Sequence, residues 1–148
     1  VGFCATTEGF EIQAVGQLTD NWHISGGYSY LDGNQINADG SEGNRKRELP
    51  ENALSLWNNY QVNSQLGFGL GLVYQDEYFA TNSGASSTTV PDYTRIDAAV
   101  YYDVTDKLRV QLNVENLTDE LYFPNSHSTH QISVGAPINA RLTVSGRF

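Results

Sequence analysis

The sequence predicts an all-β fold: an antiparallel transmembrane β-barrel segment of about seven strands, joined by short turns at one end and long loops at the other. Three observations predict it. Residues 138–148 alternate without an error, with Ile138, Ala140, Leu142, Val144, Gly146 and Phe148 on one register and Asn139, Arg141, Thr143, Ser145 and Arg147 on the other. That period of two belongs to a strand with a different solvent on each face. The same alternation recurs along the chain, and connections of alternating length separate its stretches. Finally, the chain stops on an aromatic residue, as the interface-marking strand of a membrane barrel does.

Residues 9–18 set Phe10, Ile12, Ala14, Gly16 and Leu18 against Glu11, Gln13, Val15 and Gln17, and Thr19-Asp20-Asn21 reads as a tight turn. Residues 22–31 follow, with Trp22, Ile24, Gly26, Tyr28 and Tyr30 on the apolar register, then a long polar loop at 32–49. Residues 50–62 are less regular: Leu54, Leu56, Tyr60 and Val62 share a face, but Asn58 joins them and Trp57 does not. An irregularity near Trp57 would account for this. After the turn at 63–65, Leu66, Phe68, Leu70, Leu72 and Tyr74 alternate with Gly67, Gly69, Gly71 and Val73. A second long loop spans 76–92.

Residues 93–102 place Thr94, Ile96, Ala98, Val100 and Tyr102 opposite Arg95, Asp97, Ala99 and Tyr101; a short turn at 103–106 leads to Leu108, Val110, Leu112 and Val114, alternating with Arg109, Gln111, Asn113 and Glu115. A third long segment, 116–137, precedes the terminal strand. Short and long connections thus alternate, the rhythm of periplasmic turns and extracellular loops. The charges within the strand bodies, Glu11, Arg95, Asp97, Arg109, Glu115 and Arg141, all fall on the polar register. A basic side chain on a lipid face at mid-depth costs ~2–4 kcal/mol, so a barrel wall excludes them from its apolar register.

Composition narrows the function. Eight Lys and Arg stand against 17 Asp and Glu, a net charge of −9, which argues against a nucleic-acid partner. No apolar run reaches the length of a transmembrane helix, whereas the averaged hydropathy of barrel strands hides their spans. The 148 residues contain no Met and no signal peptide, so the sequence is expected to be a processed product or a piece of a longer polypeptide. The single Cys4 is read either as half of a disulfide with an upstream partner or as a free thiol. No Gly-x-Ser-x-Gly, paired-His or Cys/His nucleophile pattern occurs, and no enzyme activity is expected.

Two stretches carry a family resemblance: Val90-Pro91-Asp92-Tyr93-Thr94-Arg95-Ile96-Asp97-Ala98 and Leu112-Asn113-Val114-Glu115-Asn116-Leu117-Thr118-Asp119-Glu120-Leu121-Tyr122-Phe123. With Gly9-Phe10-Glu11, Gly16-Gln17-Leu18-Thr19, Gly27-Tyr28-Ser29-Tyr30-Leu31-Asp32 and Gly135-Ala136-Pro137, they resemble the C-terminal barrel of TonB-dependent outer-membrane receptors. The ferric-siderophore receptors are the nearest likeness. The resemblance implies a barrel of about 22 strands around an N-terminal plug, of which residues 1–148 would supply the C-terminal part, without plug or TonB box. It implies location in the bacterial outer membrane, a ferric siderophore as cargo, iron arriving within that substrate with no cofactor, and partners in the TonB complex, lipid and lipopolysaccharide. The segment 126–137 looks like the catecholate branch, although Ile138 stands where that branch often carries Arg after the Pro.

The resemblance makes the long loops the expected ligand-facing parts. Arg45 and Arg47, in the only basic cluster, would attract an anionic chelate or lipopolysaccharide phosphate, or form a solvated charge run. His127 and His130 lack a third ligand for a metal site; they are expected to hydrogen-bond or gate, or to be plain loop polarity. Tyr78 is expected at the outer rim with Tyr28, Tyr30, Tyr74, Tyr122 and Phe123, mostly as aromatic girdle, with one or two stacking on ligand. Glu11, Arg95, Asp97, Arg109, Glu115 and Arg141 are expected to face the lumen, paired across strands, touching the plug or solvated; Asn116-Leu117-Thr118-Asp119 is expected to be only a strand end. Alternatives are a receptor for another nutrient, a small autonomous barrel with a structural or adhesive role, and a soluble β-sandwich that binds a ligand.

Overall fold

A computed structural model describes residues 4–36, 43–81 and 88–147. In chain order the strands are β1 (Ala5–Thr19), β2 (Trp22–Gln35), β3 (Asn52–Gln61), β4 (Leu66–Gln75), β5 (Tyr78–Phe79), β6 (Thr89–Val90), β7 (Tyr93–Thr105), β8 (Leu108–Glu115), β9 (Asn125–Ser128), β10 (Gln131–Ser133) and β11 (Asn139–Gly146). Seven of them form one sheet in the order β1-β2-β3-β4-β7-β8-β11, every neighbouring pair antiparallel. The sheet is an open stretch of barrel wall. Polar side chains close its short turns: the Asn63 carboxamide oxygen accepts from the amides of Gln65 (2.8 Å) and Leu66 (2.9 Å), and the Thr105 hydroxyl accepts from that of Lys107 (3.2 Å).

The register carries the two-residue pattern from strand to strand. Ile12 lies opposite Tyr28, Tyr28 opposite Leu54, Leu54 opposite Tyr74 and Tyr74 opposite Thr94, so the even-numbered positions share one face. That face leaves Ile12, Leu18, Phe68, Leu70, Leu142 and Val144 uncovered. Aromatics bound it. Trp22, Tyr60 and Phe68 are register partners in succession near the short turns, and Tyr102 follows opposite Leu66. Near the long loops Phe10 packs against Tyr28 and Tyr30, its ring centre 5.9 Å from each. Eight residue-to-residue steps of strand lead from Trp22 to Tyr30, which at ~3.3 Å per step and a ~40° tilt is about 20 Å of height, close to the apolar band of an outer-membrane barrel.

β1, β2 and β7 outrun their expected limits, the first two chiefly at the outer end, whereas β3 and β11 stop short of theirs. Glu8 and Asp32 thereby join β1 and β2 as direct partners on the even register, beyond the aromatic row. The exclusion of charge from that register holds between the aromatic rows and lapses outside them, where water replaces lipid. The irregularity expected at Trp57 is absent, for β3 pairs without a register shift on both sides. Trp57 instead lies on the odd face over two glycines: a Cβ on Gly69 or Gly71 would stand 2.4 or 2.6 Å from its ring. Asn58 is tolerated on the apolar face because its side chain accepts the Trp22 indole N–H at 3.2 Å, one polar group satisfying the other.

Two of the long connections hold small hairpins that the sequence reads as loop, β5–β6 and β9–β10. They enclose the small buried apolar core of the described residues: Tyr78, Ala80 and Val90, with Phe123 and Ile132 packed against them. The terminal aromatic residue, Phe148, lies outside the described residues. Cys4 is exposed and forms no disulfide among them.

Candidate functional site: the outer loops and the polar wall

Chain direction brings the three long connections to one end of the sheet. The segment after β2 folds back along it: the amide of Lys46 donates to the Gly33 carbonyl (2.8 Å), and Asn34 and Arg45 form a bridge. Glu48, at φ 56°, then turns the chain so that its amide donates to the Phe79 carbonyl at 2.9 Å. The Arg45 guanidinium pairs with Glu51 at 2.7 Å and lies 5.7 Å from the Phe79 ring centre. Arg47 reaches the third loop, donating to the His127 carbonyl at 3.3 Å. Glu48, Pro50, Tyr78, Pro124, Asn125 and Ser126 line a cleft of about 180 Å³ between the loops.

The structure gathers all five expected ligand-facing residues at this end, four of them exposed or half-buried and one, Tyr78, buried. Arg47, His127 and His130 are exposed, and Arg45 is half-buried in its ion pair. Tyr78 is 3% exposed, so it is a packing residue of the loop core and not a stacking platform. Burial raises its hydroxyl pKa above the ordinary tyrosine value, with a smaller upward push from Glu48. Tyr122, expected as girdle, is likewise buried, and Phe123 packs in the loop core. Tyr28 and Tyr74 do stand in the outer aromatic row: Tyr28 donates to the Asn52 side chain, Tyr74 to Asp76, and Asn52 donates to Asp76 as well. Asp76 lies just past β4, outside the spanning strands. Burial raises its pKa, but the hydrogen bonds from Tyr74 and Asn52, with the charge of Arg45, more than reverse this and hold it below the usual carboxylate range.

On the odd face, Glu11, Arg95, Asp97, Arg109, Glu115 and Arg141 share one side with Trp57. Arg109 grips both oxygens of Asp103 at 2.6 and 2.7 Å. Arg141, which lies opposite Asn113, approaches Glu115 on the diagonal only to 4.0 Å. Glu11 lines a shallow trough with Gln13, Ser29 and Ser55. Arg95 pairs with Asp97 at 2.9 Å and donates to the Tyr122 hydroxyl at 3.0 Å, which ties the third long loop to the wall.

Asn116 is the residue that sequence reasoning passed over. It is 1% exposed and sits at φ 55°. Its amide donates to Asp97 (2.9 Å); its carboxamide donates to the carbonyls of Glu120 (2.9 Å) and Ala136 (3.1 Å) and accepts the Glu120 amide (2.8 Å). One side chain therefore joins both ends of the loop. Asp119, at φ 53°, adds a bond from the Ile138 amide at 2.9 Å. The signal was present in Asn-Leu-Thr-Asp, since Asn and Asp tolerate the left-handed region that other side chains avoid.

Comparison with known proteins agrees with this architecture. Residues 5–117 match the family model described as TonB dependent receptor-like, beta-barrel. A probable TonB-dependent siderophore receptor of Acinetobacter baumannii, PiuA, is 33% identical over 95% of the chain, and the ferrioxamine B receptor of Salmonella typhimurium is 32% identical over 96%. The chain spans about a fifth of these relatives' length, 20% and 21%. The crystal structure of PiuA superposes with a TM-score of 0.88 at 32% identity, covering 96% of this chain and 22% of PiuA. That of the ferric-catecholate import receptor Fiu of Escherichia coli gives 0.84 at 31% identity, covering 97% and 21%. The chain belongs to the β-barrel family of TonB-dependent receptors, proteins of the bacterial outer membrane.

Proposed function

We propose that the chain is the C-terminal wall of an outer-membrane receptor that imports ferric siderophores with energy supplied through TonB. The observation that carries this reading is that relatives at least 30% identical along nearly the whole chain are named as siderophore receptors. The ferrioxamine B receptor and the catecholate siderophore receptor Fiu match equally well, at 32% identity, so no catecholate preference is assigned. In this reading the odd face lines the lumen and meets the plug, and the even face meets lipid. Arg45, Arg47, His127 and His130 stand nearest the incoming chelate, with lipopolysaccharide around the outer rim. Iron enters as part of the substrate, and the chain performs no catalysis. TonB acts through a part of the receptor outside residues 1–148.

The test is uptake of radiolabelled iron by cells that lack their own siderophore receptors and express the full-length receptor. Ferric hydroxamate, catecholate and carboxylate chelates are offered in turn. At least one is expected to support uptake that disappears when TonB is removed. Failure of every chelate, with TonB-dependent uptake of a different nutrient, would overturn the siderophore assignment and leave the barrel intact.

A further inference from the structure

Arg95 is less satisfied than its neighbours suggest. A guanidinium carries five N–H donors. Here one terminal nitrogen donates to Asp97 (2.9 Å) and the other to the Tyr122 hydroxyl (3.0 Å), while Nε is buried and has no acceptor among the described residues. Asp97 does not offer a second oxygen, because that one accepts the Asn116 amide at 2.9 Å. The side chain remains 26% exposed on the polar face, so the group is reachable from there.

Its two acceptors differ in strength. Asp97 is charged, whereas the Tyr122 hydroxyl is neutral. Hydrogen bonds from Arg to an oxyanion are about twice as strong as neutral ones, and the planar fork favours two parallel bonds to one anion. An incoming oxyanion therefore gains most by replacing Tyr122. Tyr122 is also one of the points, beside Asn116 and Asp119, at which the third long loop is fastened. Its carbonyl accepts the Gly135 amide at 2.8 Å, its ring centre lies 4.8 Å from that of Tyr93, and it fills the space where a Cβ on Gly135 would stand 2.2 Å away.

We propose that Arg95 is an oxyanion-binding site that doubles as a latch: a carboxylate, phosphate or phenolate oxygen arriving on the polar face takes the guanidinium from Tyr122 and loosens the 117–136 loop between ends that Asn116 still joins. The loop carries His127, which Arg47 holds by its carbonyl, so release at Arg95 is felt at the outer loop cluster. Asp97 stays on Asn116 and keeps the wall side of the latch in place. The inference does not depend on the identity of the imported cargo.

Hydrogen exchange on the full-length receptor in lipid nanodiscs tests it, with inorganic phosphate as the probe anion and sodium chloride keeping ionic strength fixed. Exchange of peptides within 117–136 is expected to rise severalfold with phosphate in the wild type. Tyr122→Phe raises it without phosphate, and Arg95→Gln raises it and abolishes the phosphate response. Arg95→Lys, which keeps the charge and loses the fork, is expected to recover only part of that response. A purely structural Arg95 predicts faster exchange in the variants and no phosphate response in any form of the receptor. That result, or an undiminished response in Arg95→Gln, would overturn the proposal.

Discussion

At the scale of single residues, Asn116 and Asp76 do the most with the least. Asn116 joins the two ends of a long loop through three buried side-chain bonds while holding a backbone conformation that most residues resist. Asn116→Ala removes the bonds and adds the strain, a loss of about 2–3 kcal/mol at roughly 1 kcal/mol per buried hydrogen bond. The expected outcome is a lower urea midpoint for the receptor in detergent, and an unchanged midpoint would contradict the role. Asp76 closes the outer aromatic row from above. Its folded pKa lies below the unfolded value, so its contribution is complete above ~3.9 and is lost as pH falls through the folded value. Asp76→Asn is accordingly expected to be less stable than the wild type at pH ~7, the gap closing in acid. Urea midpoints at both pH values measure it, and a gap that does not depend on pH would refute the linkage.

At the scale of elements, the membrane strands were legible because lipid on one side and water on the other impose an alternation that few other environments demand. Residues 108–115 and 139–146 could be read directly from their parity. Trp57 was misread for a physical reason: parity records polarity, and a tryptophan on the wet face looks like an error until Gly69 and Gly71 beneath it are seen across the ladder. The hairpins β5–β6 and β9–β10 were not legible, since two to four residues give no period and their stability comes from packing on each other. Tyr78 was misplaced for the same cause. That dependence gives a prediction. Val90 is 1% exposed in their shared core, and Val90→Asp buries a charge without a partner. The hairpins are expected to come apart and become open to protease nicking in 76–92, while the barrel keeps its heat-modifiable migration on gels. Resistance equal to the wild type would mean that the loops do not depend on that core.

At the scale of the whole molecule, the described residues place little apolar mass inside and much outside. Apart from Val15, the exposed large aliphatic side chains of the seven-stranded sheet stand on one face, and the ion pairs of Arg95 and Arg109 occupy the other. A water-soluble sandwich inverts this arrangement, covering its apolar face with a second sheet. The central claim is thus about solvent: even positions meet lipid, odd positions meet a wet lumen. The most direct measurement is a spin-label scan through β4 of the full-length receptor in bilayers, carrying Cys4→Ser and one new cysteine at a time at Leu70, Leu72, Val73 and Gln75. Collisions with oxygen and with a water-soluble nickel chelate are compared at each site. The expected result follows parity, with oxygen dominant at Leu70 and Leu72 and lower at Val73 and Gln75. Nickel access at both parities, or no alternation, would contradict a membrane-spanning wall.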